Sequence, residues 1–240
     1  MAAGAQSALS DAWIVFRKEL IELAGDRRTF RGALGQTAVL ILFLGIYLPS
    51  SNSSMWNDPT MMAVVFFLFP SLLAATVAAD SFAGERERAT LETLLATPLS
   101  DASLFFGKAG WAIFYSFSVS AVALLAGLIT TMVRYGSLDR YVPWSAVAVA
   151  TGDAFVAAVF TSAVAVLIST KFPLVRAAEQ ASRVVSILAG AVLIGIAHVL
   201  TGGFGWPAVL AIQAVLLLGG VACIRLSAAR FRRGRIFDPR

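Results

Sequence analysis

One cysteine, Cys223, and one histidine, His198, in 240 residues leave no pair for a disulfide and no ligand set for a zinc-type cluster. The same scarcity removes H-E-x-x-H metalloprotease chemistry and any triad built on the two. His198 reads as a helix-packing hydrogen bonder and Cys223 as a small apolar residue. A phosphate-binding loop is also missing. Gly107-Lys108-Ala109 lacks both the upstream glycine and the hydroxyl of G-x-x-x-x-G-K-[ST], so this chain cannot hydrolyse ATP by that route. No period of 20 to 50 residues repeats, which excludes a solenoid or array. Charge is scarce as well. Only 14% of residues are charged against 58% hydrophobic, too apolar for an ordinary soluble domain. Residues 1–10 have neither a basic region nor an apolar core, so a cleaved signal peptide is not expected.

What the chain has instead is apolar runs. Uncharged or nearly uncharged stretches cover 32–48, 61–79, 109–133, 144–169, 184–201 and 208–224, each near the length that an apolar core of about 30 Å requires. Pro70 inside the second should bend that helix near Phe66. Ahead of them, Leu9, Trp13, Phe16, Leu20 and Leu23 step by four and three, while Asp11, Lys18, Glu22 and Asp26 lie elsewhere around the same helix. Residues 8–26 therefore read as an amphipathic helix in the interface, its aromatic and leucine side in the acyl boundary.

Basic residues then orient the spans. Nineteen lysines and arginines outnumber fourteen acids, which in a soluble chain would suggest nucleic acid. Here seventeen of them fall in 1–31, 80–108, 171–183 and 225–240, and only Arg134 and Arg140 lie in the alternate segments. The positive-inside rule puts the first group, with both termini, in the cytoplasm of a plasma or inner membrane, and no nucleic-acid partner is expected. Trp56, Trp144 and Trp206 map to the outer borders as an aromatic belt would. In the tail, Arg230, Arg232, Arg233 and Arg235 could each gain about 1 kcal/mol from anionic lipid headgroups, or simply anchor the topology. The whole chain, 1–240, reads as one all-α membrane domain.

The sharpest sequence feature is 80–108, DSFAGERERATLETLLATPLSDASLFFGK, a polar insert between the second and third spans. Leu91, Leu94 and Leu95 fall at i, i+3 and i+4, so a short helix over about 90–96 shows leucines on one face and Glu92 and Thr93 on another. Pro98 stops it, and Ser100 or Asp101 can cap the next helix. Gly84-Glu85-Arg86-Glu87-Arg88, Thr90-Leu91-Glu92, Leu94-Leu95, Thr97-Pro98-Leu99-Ser100 and Gly107-Lys108 resemble the loop after the second span in permeases of the ABC type-2 transporter family. Ala89 departs from the family, which commonly has glycine there; alanine favours the helix by about 0.5–1 kcal/mol. Arg17-Lys18-Glu19-Leu20 with Asp26-Arg27-Arg28 is similar, more loosely, to the family's N-terminal pattern.

That resemblance implies six spans with an interfacial N-terminal helix and a cytoplasmic coupling helix within 85–98, seated on a separate cytosolic ATPase. Glu85, Arg86, Glu87, Arg88, Leu91, Glu92, Leu94 and Leu95 would be the transmission contacts. It also implies a second permease chain, identical or not, and mostly export. ATP and Mg would be bound by the partner ATPase, with no cofactor or metal in this chain and no catalysis of its own. Relatives in cytochrome maturation or gliding machinery share the architecture, so a role in an assembly complex is the alternative. An ATPase-independent secondary transporter would favour several intramembrane ionisable groups and an inverted repeat, neither of which is evident.

Asp153 is the one acid deep in an apolar run. Ten residues past Pro143 at 1.5 Å per residue places it roughly 15 Å in, near the bilayer middle. A carboxylate there costs about 2.5–3.5 kcal/mol on insertion scales, so it should face a cavity, a partner or a subunit. Two readings stay open. Asp153 lines a substrate path or meets a cationic group, or it is carried neutral or bonded to hydroxyls such as Thr151 or Ser116 and only joins helices. Ser116, Ser118, Ser120, Thr161 and Ser162 read mainly as packing residues.

Overall fold

A computed structural model describes residues 2–25, 27–51, 59–87, 99, 101–136, 142, 144–169, 172, 174–201 and 206–230. Helix α1 (Ala2–Gly25) precedes α2 (Arg27–Leu42), which runs on through a π-helical turn (Phe43–Tyr47) into a last short turn (Leu48–Ser51). Then follow α3 (Pro59–Ala79), α4 (Asp101–Tyr135), α5 (Trp144–Ser169), α6 (Val175–Thr201) and α7 (Trp206–Arg230). Five of these segments are long and apolar enough to cross a membrane: Leu34–Ser51, Met61–Gly84, Ser103–Tyr135, Trp144–Ser169 and Val209–Ser227. The run expected as the fifth of six spans, 184–201, lies inside α6.

Helix α5 is the hub. It packs on α3, α4, α6 and α7, and the reason is its side chains. Ala146, Ala150, Ala154, Ala157, Ala158, Ala163 and Ala165 are all buried, and small residues let neighbouring backbones approach closely where lipid offers no hydrophobic drive for helix association. Larger side chains from the neighbours fill what is left. Met62, Phe66 and Leu124 close over Ala146, Ala150 and Ala154, while Phe67, Phe160, Ile212 and Leu216 join α3, α5 and α7.

Two boundaries differ from the sequence reading. The second span does not stop at Ala79, because the helix continues as a π turn (Asp80–Gly84) and a last turn (Glu85–Glu87). The third does not wait for residue 109, since α4 begins at Asp101. Both helices project beyond the apolar run because their polar ends pair with each other, as described below. The polar insert thus narrows at its base, and residues 90–96, with the expected coupling helix, lie outside the described residues.

The N-terminal helix is also divided differently. Val15 is buried and Phe16 turns inward, edge-on to Trp111 (5.6 Å) and Phe114 (5.4 Å) of α4. Gly107 makes this possible, since a Cβ there would lie 2.6 Å from the Val15 Cβ and 2.7 Å from the Ala12 carbonyl oxygen. The exposed apolar side is instead Trp13, Ile14, Leu20 and Ile21. The i, i+4 stripe read from sequence merged two faces, one packed on α4 and one free for an acyl boundary.

Candidate functional site

The ends of α3 and α4 carry opposite charges, and α1 brings a third. Lys108, its side chain only 3% exposed, places its Nζ 2.6 Å from Glu85 Oε1 and 3.0 Å from Glu19 Oε1. It also donates to the Ser81 carbonyl oxygen at 2.8 Å. An ammonium has three hydrogens, and three acceptors take them. The third acceptor belongs to the π turn (Asp80–Gly84) at the end of α3. Ser81 Oγ adds a 3.3 Å hydrogen bond to Glu19. The Phe82 ring lies 5.9 Å below the Lys108 nitrogen, within cation–π range.

Lys18 covers the cluster from the solvent side, 3.0 Å from Glu22 and 3.4 Å from Glu85. Burial would lower the Lys18 pKa, but the hydrogen bond to Glu22 and the charges of Glu19, Glu85 and Glu22 outweigh it and hold it above its ordinary 10.5. By arrangement, then, Glu85 closes one end of the insert and Lys108 the other. Glu19 fastens both to α1.

A second tie lies two residues further along. Glu87, exposed, accepts a 3.1 Å hydrogen bond from the Val175 N–H at the start of α6, where a carboxylate also meets the positive end of the helix dipole. On the α3 side of that junction, Thr76 Oγ1 donates to Glu179 at 2.7 Å, and Arg183 pairs with Glu179 and Thr76. The insert is therefore flanked by contacts to α1, α4 and α6.

Of the residues singled out in the sequence, Glu85 and Glu87 come into these contacts. Arg86 lies in the last helical turn, its side chain outside the described residues. Arg88, Leu91, Glu92, Leu94 and Leu95 lie outside the described residues altogether. Glu19 and Lys108 had been quoted only as parts of motifs, with no role. A lysine just inside an apolar border was the signal available, and its partners, far away in sequence, were not.

Asp153 is elsewhere, buried in α5, and its partner is neither expected hydroxyl. Thr151 Oγ1 bonds the Val147 carbonyl oxygen and Ser116 Oγ that of Ala112, each satisfying itself one turn back on its own helix. Gln213 of α7 donates its amide to Asp153 Oδ1 at 3.1 Å instead. Among the described residues no group of three His, Cys, Asp or Glu could hold a metal ion.

No curated protein matches the chain by sequence. A family model does: the one described as ABC-2 family transporter protein matches residues 32–193, from the start of the first apolar run into α6 and across the Glu85–Lys108 clasp. With several apolar helices long enough to cross a membrane and no nucleotide-binding motif in the sequence, a match over more than half its length makes the chain a member of the ABC-2 transporter family, a multi-pass permease subunit of an ABC transporter.

Proposed function

We propose that this permease works as an exporter driven by a separate cytosolic ATPase, which docks on the insert between Glu87 and Asp101. The observation that carries this reading is the clasp. A load applied to the insert has two exits, Glu85 into α3 and Lys108 into α4, and Glu19 passes part of it to α1. Glu85 then acts as an anchor through Lys108, while Arg86, Glu87, Arg88, Leu91, Glu92, Leu94 and Leu95 remain the proposed ATPase contacts. ATP and Mg bind the partner ATPase. The topology that suits this is six spans with α6 as the fifth, both termini in the cytosol of the plasma membrane, and two permease chains side by side, equal or different.

The test is reconstitution with the ATPase encoded beside this reading frame. Glu87→Lys combined with Glu92→Lys should leave complex assembly measurable but uncouple ATP hydrolysis from transport into inverted vesicles. Unaltered coupling in that double variant would refute the docking site. Failure of any such ATPase to co-purify with the wild-type chain would favour the assembly-complex alternative.

A further inference from the structure

Two neighbouring cations on α1 have different surroundings. Lys18 is committed to Glu22 and Glu85, whereas Arg17, exposed, has no ion pair or hydrogen bond with any described residue. Its neighbours around the helix are apolar. Trp13 and Ile14 precede it by four and three residues, and Leu20 and Ile21 follow by three and four. At roughly 100° per residue all four lie within about 60° of Arg17, while Asp11, Glu19 and Glu22 lie at about 120° or more. The four are exposed, Trp13 by 63%. A guanidinium is thus set in the middle of an apolar face.

That face adjoins the lipid side of the bundle. Trp13 stacks on Phe16 with ring centroids 5.2 Å apart, and Phe16 meets Phe114 edge-on at 5.4 Å. The patch therefore runs onto α4, where Phe114, Val122, Leu125 and Ile129 are exposed along the span. Helix α1 crosses α4 at Gly107, against which Ala12 and Val15 lie, two residues ahead of the uncharged run that begins at 109. Arg17 is held beside the border where an apolar membrane core gives way to phosphates.

The two chemistries of the face select its occupant. A neutral lipid covers the apolar side chains but gives the guanidinium no counter-charge. An acidic soluble segment does the reverse, leaving Trp13 and Ile21 in water. An anionic phospholipid supplies both, because its phosphate matches the guanidinium fork and its acyl chain matches the aromatic row. We propose that Arg17, Trp13, Ile14, Leu20 and Ile21 form a site for an anionic phospholipid, with the phosphate on Arg17 and an acyl chain along Trp13 and Phe114. The site needs no ATPase and is independent of the exporter reading.

For the test, the full chain is reconstituted in phosphatidylcholine vesicles with a fixed fraction of one lipid brominated in its acyl chain, either phosphatidylglycerol or phosphatidylcholine. The Trp13 share of the emission is the difference from Trp13→Phe. Brominated phosphatidylglycerol should quench it with a preference of about fivefold in relative binding, the scale of one basic residue near an anionic surface. Arg17→Gln should remove that preference and Arg17→Lys retain part of it. Arg31→Gln, the same loss of charge on α2, should leave it intact. Equal quenching by the two lipids, as unselective lipid solvation or an acidic protein partner on this face would give, overturns the proposal. So does a preference that survives Arg17→Gln, or one that Arg31→Gln removes as fully.

Discussion

Replacing Lys108 with methionine keeps much of the side chain's length and apolar stem but removes the ammonium from the clasp. Two carboxylates, Glu85 and Glu19, with side chains 10% and 12% exposed, would then face each other without the buried ammonium between them, Lys18 beside them being half-exposed. Removing one partner of a buried ion pair costs about 3–5 kcal/mol, because the charge left behind has lost water and gained nothing. At roughly 2–4 °C per kcal/mol for a chain of this size, the unfolding midpoint should fall by about 6–20 °C. Tryptophan fluorescence of the purified protein in detergent measures it. The discriminating variant adds Glu85→Gln and Glu19→Gln to Lys108→Met. With every charge of the triad gone, most of the loss should return, since a buried ion cluster contributes little relative to neutral groups of the same shape. Wild-type stability in Lys108→Met, or a triple variant no more stable than that single one, would refute the argument that Lys108 neutralises a buried clasp.

Three other outcomes follow from the same geometry. Gly107→Leu puts side-chain atoms where Val15 and the Ala12 carbonyl already sit, so α1 should lift from α4; limited proteolysis at Arg17 and Lys18 should accelerate, with about 1–3 kcal/mol of stability lost to overpacking. Asp153→Asn keeps an acceptor for Gln213 and should fold like the wild type, whereas Asp153→Leu strands the Gln213 amide and should lower stability by about 1–3 kcal/mol in the same thermal assay; equal midpoints for the two would show that the 3.1 Å contact is idle. The raised pKa of Lys18 means that its folded state holds the proton more tightly than the unfolded chain, so its contribution is complete below pH 10.5 and disappears as pH rises through the higher folded value. A pH titration of thermal stability should be flat in this respect through neutrality and fall in alkali, and Lys18→Gln should reduce the alkaline fall.

The sequence made the spans legible because hydropathy is additive along the chain. Runs such as 144–169 need no partner to be recognised, and α5 follows that boundary residue for residue. Periodicity on α1 was legible only in part. The spacing of Trp13, Phe16 and Leu20 requires a helix but does not say which neighbour claims which side, and Gly107 settles that by letting α4 come close enough to take Phe16. Span ends were misplaced for a related reason. Hydropathy ends a helix where polarity begins, yet Asp80–Gly84 and the first turns of α4 stay helical because Glu85 and Lys108 neutralise each other across the gap.

Pairing between distant residues is the information that local patterns lack. Asp153 was conspicuous as a lone acid in an apolar run, but Gln213, an ordinary polar residue in another apolar run, became its partner only when α5 and α7 packed together. The clasp has the same character. Glu85 drew attention through a motif and was read as a surface contact, while its burial beside Lys108 and Glu19 turns it inward. A charge that a sequence places at a membrane border can thus serve either a partner or the bundle itself. Here the distinction follows from burial: Glu87 stays exposed at the helix end while it accepts from the Val175 N–H, whereas moving Glu85 requires moving Lys108 and, with it, α1 and α4.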